Sequence, residues 1–398
     1  MCGVISIYAA SYDFDNASFF AFTEFSGKQI RWIGLSFILG LIILLIDYRL
    51  YETYSYPLYL FLVLLLFITI FIAPDINGSH SWIVLGPVSI QPAEFAKFAT
   101  ALALAKTLSS VTADFKKWKT RIAAITIIFI PMLLILLQND TGSALVFCSF
   151  VFVLFREGMS SYILIIGAVC ILLFILALLV NQYLLIGIYF VLIFGAFLFL
   201  RKRIRKLNIW VFICTFVGAS LFTLAVDFVF ENVLEPHQKD RIEVLLGKKE
   251  DFKGVGYNVN QSKIAIGSGG VLGKGFLNGT QTKFNFVPEQ DTDFIFCTIG
   301  EEWGFVGSSL TVVLFIALCA KLIKMAERQR SKFARIYGYS VASIIFFHFF
   351  INIGMTIGLL PVIGIPLPFI SYGGSSLWAF TFLLFIFIKQ DALRQELI

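Results

Sequence analysis

Apolar runs, many of them long enough to cross a hydrocarbon layer, recur along almost the whole chain. They lie near residues 29–47, 55–73, 93–110, 122–137, 143–155, 161–180, 184–200, 208–229, 303–323, 336–358 and 372–388. A helix needs roughly 20 predominantly apolar residues to span a bilayer core. Backbone surrounded by lipid must satisfy its own hydrogen bonds, so such runs become helices and not open strands. Residues 1–10 add a partial run, bringing the candidates to twelve. No basic stretch marks that run as a signal peptide; it reads as part of a first helix whose beginning is missing. Only 14% of the residues are charged, against about 25% in soluble domains. A soluble domain has no interior that could hide this much Phe and Leu. The fold class expected is an all-α, polytopic integral membrane protein, with residues 1–398 forming one membrane domain.

The breaks between runs assign sides. Alternate breaks carry Arg49, then Lys116, Lys117, Lys119 and Arg121, then Arg156, then the run 201–206 (RKRIRK). Lys324, Arg328, Arg330, Lys332 and Arg335 follow, and Lys389 and Arg394 close the series. The intervening short breaks hold almost no cations, Lys28 and Arg31 excepted. Lys and Arg concentrate on the cytoplasmic side of membrane proteins. The carboxyl terminus is therefore expected inside, and the long segment 231–293 outside as a large extracytoplasmic loop. That loop holds eight Lys/Arg against nine Asp/Glu, so it is not a basic patch. The net charge of +6 reflects topology and gives no reason to expect nucleic acid. Six cysteines stand singly, without paired spacing, and read as small hydrophobes.

Polar chemistry concentrates in residues 254–302, where glycines crowd together with lysines, amides and five carboxylates. Glycine takes positive φ and lets backbone approach a ligand closely. Three shorter stretches on the same expected side join it. In 80–98, Pro92 suits a helix start, Glu94 its first turn, and Lys97 the same face three residues on. In QNDTGSAL, 138–145, Asp140 is either a helix N-cap or a site residue. In 358–376, three prolines and repeated glycines imply an irregular or re-entrant backbone, tolerated only beside protein or water. His348, alone in an apolar run, reads as a hydrogen-bonded core residue.

The ordered set QPAE (91–94), QNDTGSAL, QSKIAIGSGGVLGKGFLNGTQ (261–281), PEQDTDFIF (288–296), EEWGFVG (301–307) and GLLPVIGIPLPFISYGGSS (358–376) resembles the RodA/FtsW/SpoVE family, the SEDS peptidoglycan glycosyltransferases. The 261–281 run looks more like the RodA, or elongation, branch than the division branch. The resemblance implies a ten-helix bundle, here with two extra segments within 161–206. It also implies polymerisation of lipid II at the outer face of the bacterial cytoplasmic membrane, beside a class B penicillin-binding protein that crosslinks the strands.

The family's essential acidic residue falls on Asp293, a carboxylate suited to take the proton of an attacking hydroxyl. Departure of undecaprenyl pyrophosphate needs positive charge, for which Arg241, Lys263 and Lys274 are candidates. Backbone amides around Gly267, Gly269 and Gly270 offer further donors. Gln261, Glu94, Lys97 and Asp140 are candidate substrate contacts, and Asp291, Glu301 and Glu302 candidate auxiliaries. Taken without the resemblance, Asp293 reads first as an ordinary helix N-cap. No cofactor is called for with certainty; Asp291 and Asp293 are compatible with a divalent cation such as Mg or Mn.

The chain departs from the family pattern at several points: Asp291 where His is common, QNDTG for QPDLG, and a short start. A carboxylate at 291 raises the basicity of whichever of the pair stays ionised. A flippase for lipid-linked sugars, a division-type polymerase and an inactive scaffold are the competing readings. Deep cations within the spans favour a flippase; a polar constellation on one side favours chemistry.

Overall fold

The computed structural model describes residues 2–11, 24–76, 78–86, 88–110, 115, 117–201, 209–232, 239, 242–243, 255–284 and 286–394. It divides into two units, residues 1–158 with 256–398, and residues 159–255. Among the described residues, eight helices are long and apolar enough to cross a membrane.

The first unit opens with α1 (Cys2–Ala10), α2 (Phe25–Leu45), the short α3 (Tyr48–Thr53) and α4 (Ser55–Ile72). A two-stranded antiparallel hairpin follows, β1 (Ile83–Leu85) paired with β2 (Val88–Ile90). Its turn begins at Gly86, with φ of 62°, a backbone state open mainly to glycine. Then come α5 (Pro92–Ser109), α6 (Trp118–Leu137), and α7 (Thr141–Val146) running through a 3₁₀ turn into α8 (Phe150–Arg156).

Helix α5 is the hub of this unit. Fourteen of its eighteen residues are buried, and it packs against α4, α6 and the helices near the carboxyl end. Alanines at 93, 96, 99, 101, 103 and 105 make that possible, because small side chains let helices approach closely in a membrane. Pro92 begins the helix after the N-cap Gln91, as its missing N–H allows.

The second unit holds α9 (Ser161–Leu179), α10 (Gln182–Arg201) and α11 (Ile209–Asn232). All three are apolar and mostly exposed, with a buried Tyr189–Thr223 hydroxyl contact of 3.3 Å among them. The extra apolar segments expected within 161–206 are thus helices. The basic residues 202–206 and Arg241 lie outside the described residues.

Back in the first unit, α12 (Val255–Ser268) and the single turn α13 (Thr280–Lys283) precede α14 (Ile295–Glu327), α15 (Lys332–Thr356) and α16 (Gly374–Ala392). Two features add detail to the expected layout. The glycine-rich stretch begins as a helix, because Val259, Ser262, Ala265 and Ile266 present one face at helical spacing to Phe294 and Cys297. The span expected at 303–323 belongs to a 33-residue helix broken at Gly304, where φ is 63° and ψ −158°.

Cations assigned to the cytoplasmic side gather at one end of this unit. Arg156 pairs with Glu327, Arg335 with Glu157, and Arg328 with the buried Asp391. Asp140, Asp293 and Thr356 mark the opposite ends of the helices those residues belong to.

Candidate functional site

Of residues 358–376 only 374–376 are helical, as the start of α16; the rest is a loop with no regular helix or strand, as its prolines and glycines lead one to expect. Motifs far apart in sequence meet on this loop. A Cβ placed on Gly142 would lie 2.6 Å from the Ile363 carbonyl, so the Asp140 turn packs directly against it. At Gly364, φ +76°, an added Cβ would come within 3.3 Å of Asp293 Oδ2. At Gly358 it would meet Lys263 Cδ at 3.2 Å. Asp140, Asp293 and Lys263 therefore border successive parts of one loop.

The turn carrying Asp291 and Asp293 is held to this loop by its own backbone. Tyr372 N donates to Asp291 O at 2.8 Å, and Ser371 Oγ to Thr292 O at 2.6 Å. Asn352 Nδ2 donates to Asp293 O at 2.8 Å. From the other side, Glu289 takes a positive φ of 56° and its carbonyl accepts from Thr292 N and Phe294 N. Phe294, not Asp293, is the N-cap of α14 and makes no side-chain cap bond. Asp291 is partly buried, and that burial, with Glu289 nearby, pushes its carboxyl up to about 6.

Asp140 does cap a helix: its Oδ1 accepts from Ser143 N at 2.9 Å. Its Oδ2 also accepts from Gln91 Nε2 at 2.7 Å, so this cap joins the 138–145 and 91–94 stretches. One turn into α5, Lys97 and Glu94 form a buried ion pair at 2.7 Å. Lys97 Nζ also lies 2.9 Å from His348 Nε2, and His348 Nδ1 lies 3.2 Å from Pro366 O. A carbonyl only accepts, so Nδ1 carries the imidazole proton and Nε2 accepts from the ammonium. His348 thus ties the Glu94–Lys97 pair to the same loop.

Glu301, Glu302 and Lys274 form a separate cluster. Glu301 is wholly buried, and its carboxylate accepts from Lys274 Nζ at 2.6 Å. It accepts as well from the amides of Thr280, Gln281 and Thr282, and from the hydroxyls of Ser268, Thr280 and Thr282. Lys274, expected to face pyrophosphate, instead has its ammonium on Glu301 and Thr280 Oγ1. Glu302 accepts from Leu277 N at 2.9 Å.

The glycines answer to this cluster too. Cβ atoms on Gly269 and Gly273 would fall on the carbonyls of Gly300 and Glu302, so the run lies backbone to backbone on α14. Where Gly304 breaks that helix, Phe305 N and Val306 N donate to Gly270 O and Val271 O. The amides of Gly269 and Gly270 are taken by Ile266 O and Gly267 O. The close approach expected toward a ligand is made to the protein's own helix. Gln261 is half-buried on α12.

Two residues in this region escaped the sequence reading, Asn352 and Ser371. The signal for Asn352 was an amide inside an apolar helix, which is costly without a partner; Ser371 gave none.

Comparison with known proteins identifies the family. The FtsW/RodA/SpoVE family, described as "Cell cycle protein", matches residues 1–189 and 187–395. Peptidoglycan glycosyltransferase MrdB of Escherichia coli is 34% identical over 351 residues, covering 88% of this chain and 81% of that protein. Peptidoglycan glycosyltransferase RodA of Treponema pallidum is 32% identical over 383 residues, covering 88% and 86%. A solved structure of a peptidoglycan synthase complex that coordinates polymerization and crosslinking superposes with a TM-score of 0.66 at 27% identity, covering 93% and 90%. By motif order, helical architecture and these matches, the chain belongs to the FtsW/RodA/SpoVE family of multi-pass membrane proteins.

Proposed function

We propose that this protein is a peptidoglycan glycosyltransferase of the elongation type, polymerising lipid II at the outer face of the cytoplasmic membrane with Asp293 as general base. The observation that carries this reading is the convergence of Asp140, Asp293, Lys263 and the Glu94–Lys97 pair on the single loop 358–376. The relatives named glycosyltransferases supply the reaction class.

In the step proposed, the 4-hydroxyl of the acceptor GlcNAc gives its proton to the Asp293 carboxylate. Its oxygen bonds to the anomeric carbon of the growing chain. The bond from that carbon to the pyrophosphate oxygen breaks, and undecaprenyl pyrophosphate leaves with the electron pair. A positioned base contributes about 10²–10⁴-fold to such a step. Lys263, exposed on α12 beside the loop, and Arg241 supply positive charge for the leaving group. Gln261 lies on the same helix as Lys263, and Asp140 faces the same loop. Among the described residues no three His, Cys, Asp or Glu side chains are grouped as a metal site. The described residues do not make a protein-built cation site.

The basic end of the first unit faces the cytoplasm in this reading, with the carboxyl terminus inside. Nothing in the chain resembles a transpeptidase, so a class B penicillin-binding protein is the proposed crosslinking partner. The test is lipid II polymerisation by the full chain purified with that partner, whose transpeptidase site is inactivated. Glycan strands from the native pair and none from Asp293→Ala, still copurifying, are expected. Equal product from both removes Asp293 as the base; none from either, in a folded complex, favours the flippase or the scaffold.

A further inference from the structure

Helix α15 carries two polar side chains one turn apart, His348 and Asn352, both buried. Each reaches the loop 358–376 at consecutive carbonyls: His348 at Pro366 O, and Asn352 at Ile365 O at 2.7 Å. Asn352 goes further, because its second amide hydrogen meets Asp293 O at 2.8 Å. Both neighbours are carbonyls, which only accept, so the NH₂ must face them and a flipped amide would set oxygen against oxygen. The Asn352 Oδ1 is buried without a partner. A buried orphan acceptor costs free energy, a cost accepted here in exchange for a two-pronged clamp.

We propose that Asn352 is a positioning residue for the reaction, fixing the Asp293 turn against the loop that bounds the Asp293 carboxylate. The inference rests on Asp293 being the base. Ile365 O and Asp293 O are joined through one rigid amide, while the intervening Gly364 passes close to Asp293 Oδ2. Ser371 repeats the arrangement one residue earlier. Its hydroxyl accepts from Leu367 N at 2.8 Å and donates to Thr292 O. The carbonyls of 291, 292 and 293 are all anchored on residues of this loop or on α15. Anchoring three consecutive peptide units sets the direction of the Asp293 Cα–Cβ bond without using its carboxylate oxygens. A reacting group displaced by about 1 Å loses on the order of 10²-fold in rate.

The experiment measures kcat and KM for lipid II, with thermal melting, on the full chain purified with its crosslinking partner. Asn352→Ala is expected to lower kcat by about 10²-fold with KM within about threefold, the signature of an interaction that matters in the transition state. Asn352→Asp keeps the volume but puts oxygens against both carbonyls. Its activity relative to the native chain should rise as pH falls, since the protonated acid regains one donor; a purely space-filling role predicts no such profile. Ser371→Ala removes the neighbouring anchor and should lower kcat about tenfold. It decides the question alone if the Asn352 variants do not fold. Folded variants with native kcat, or with altered KM alone, overturn the proposal. Asp293→Ala runs beside them. If it is inactive while the Asn352 and Ser371 variants turn over normally, only this inference falls; if it polymerises normally, the base assignment falls and the positioning role with it.

Discussion

Two acidic regions of the first unit are built on opposite plans. Glu301 is held by its side chain: seven donor groups converge on one buried carboxylate. The turn at Asp291–Asp293 is held by its main chain, with three consecutive carbonyls anchored and both carboxylates left partly exposed. Burying an ionised carboxylate is tolerable only when charge and hydrogen bonds compensate it. The first plan therefore makes a structural post. It welds the loop 269–283 to α14. The second plan fixes the backbone beneath the two carboxylates, which suits the role proposed for Asp293.

The sharpest way to break this contrast is to exchange losses. Asp293→Ala should cost about 10²–10⁴-fold in polymerisation with the melting temperature unchanged. Glu301→Ala should do the reverse. It strands Lys274 and three amides, and should cost about 3–5 kcal/mol of stability, read by thermal melting of the detergent-solubilised protein. Whatever Glu301→Ala protein folds should retain native turnover per folded molecule. A Glu301→Ala protein that melts normally but cannot polymerise would collapse the distinction.

Glycine substitutions probe the two plans at the level of backbone. Gly304→Ala forces a side chain into φ 63°, ψ −158°, a region essentially reserved for glycine, at a cost of about 1–3 kcal/mol. Its Cβ would also strike the backbone of Gly273, so the welded loop should lift and melting should fall. Gly364→Ala acts on the other region. Its Cβ would press on Asp293 Oδ2 at 3.3 Å, and a displacement worth about 1.4 kcal/mol in the transition state is tenfold in rate. Equal effects of the two substitutions on melting and on turnover would show that the regions are not separable.

Much of this was legible in sequence, for identifiable reasons. Apolar runs report helices because lipid leaves the backbone no alternative, and Gln91–Pro92 marked the start of α5 by local chemistry alone. Glu94 and Lys97 could be paired because three residues along a helix is a fixed geometry. Asp293 came from the family resemblance, since as an isolated carboxylate before an apolar run it was indistinguishable from a cap. What periodicity does not carry is which distant carbonyl a side chain reaches. Asn352 lies 59 residues from Asp293, and Ser371 lies 79 from Thr292. The glycines misled for a related reason: density signals close approach, and only the fold says to what. Here it is α14.

The smallest expected effect separates the two plans by pH. Burial, and then Glu289, raise the Asp291 carboxyl to about 6 from its ordinary value of 3.8. A carboxyl whose folded value lies above its unfolded one favours the native state while protonated. That contribution is complete below about 4 and is lost as pH rises through about 6. Above that range the folded chain carries an ionised carboxylate it would hold more easily unfolded. Asp291→Asn removes the titration. The melting temperature of the variant minus that of the native chain should therefore rise from pH 4 to pH 6 and level off near 7. The full change should be on the order of 1 kcal/mol, allowing for the partial exposure of the group. A difference that stays flat across this range, or falls, would mean that the turn stabilises the Asp291 charge instead of opposing it. The contrast with Glu301 would then weaken, because both regions would be collecting favourable interactions on their carboxylates.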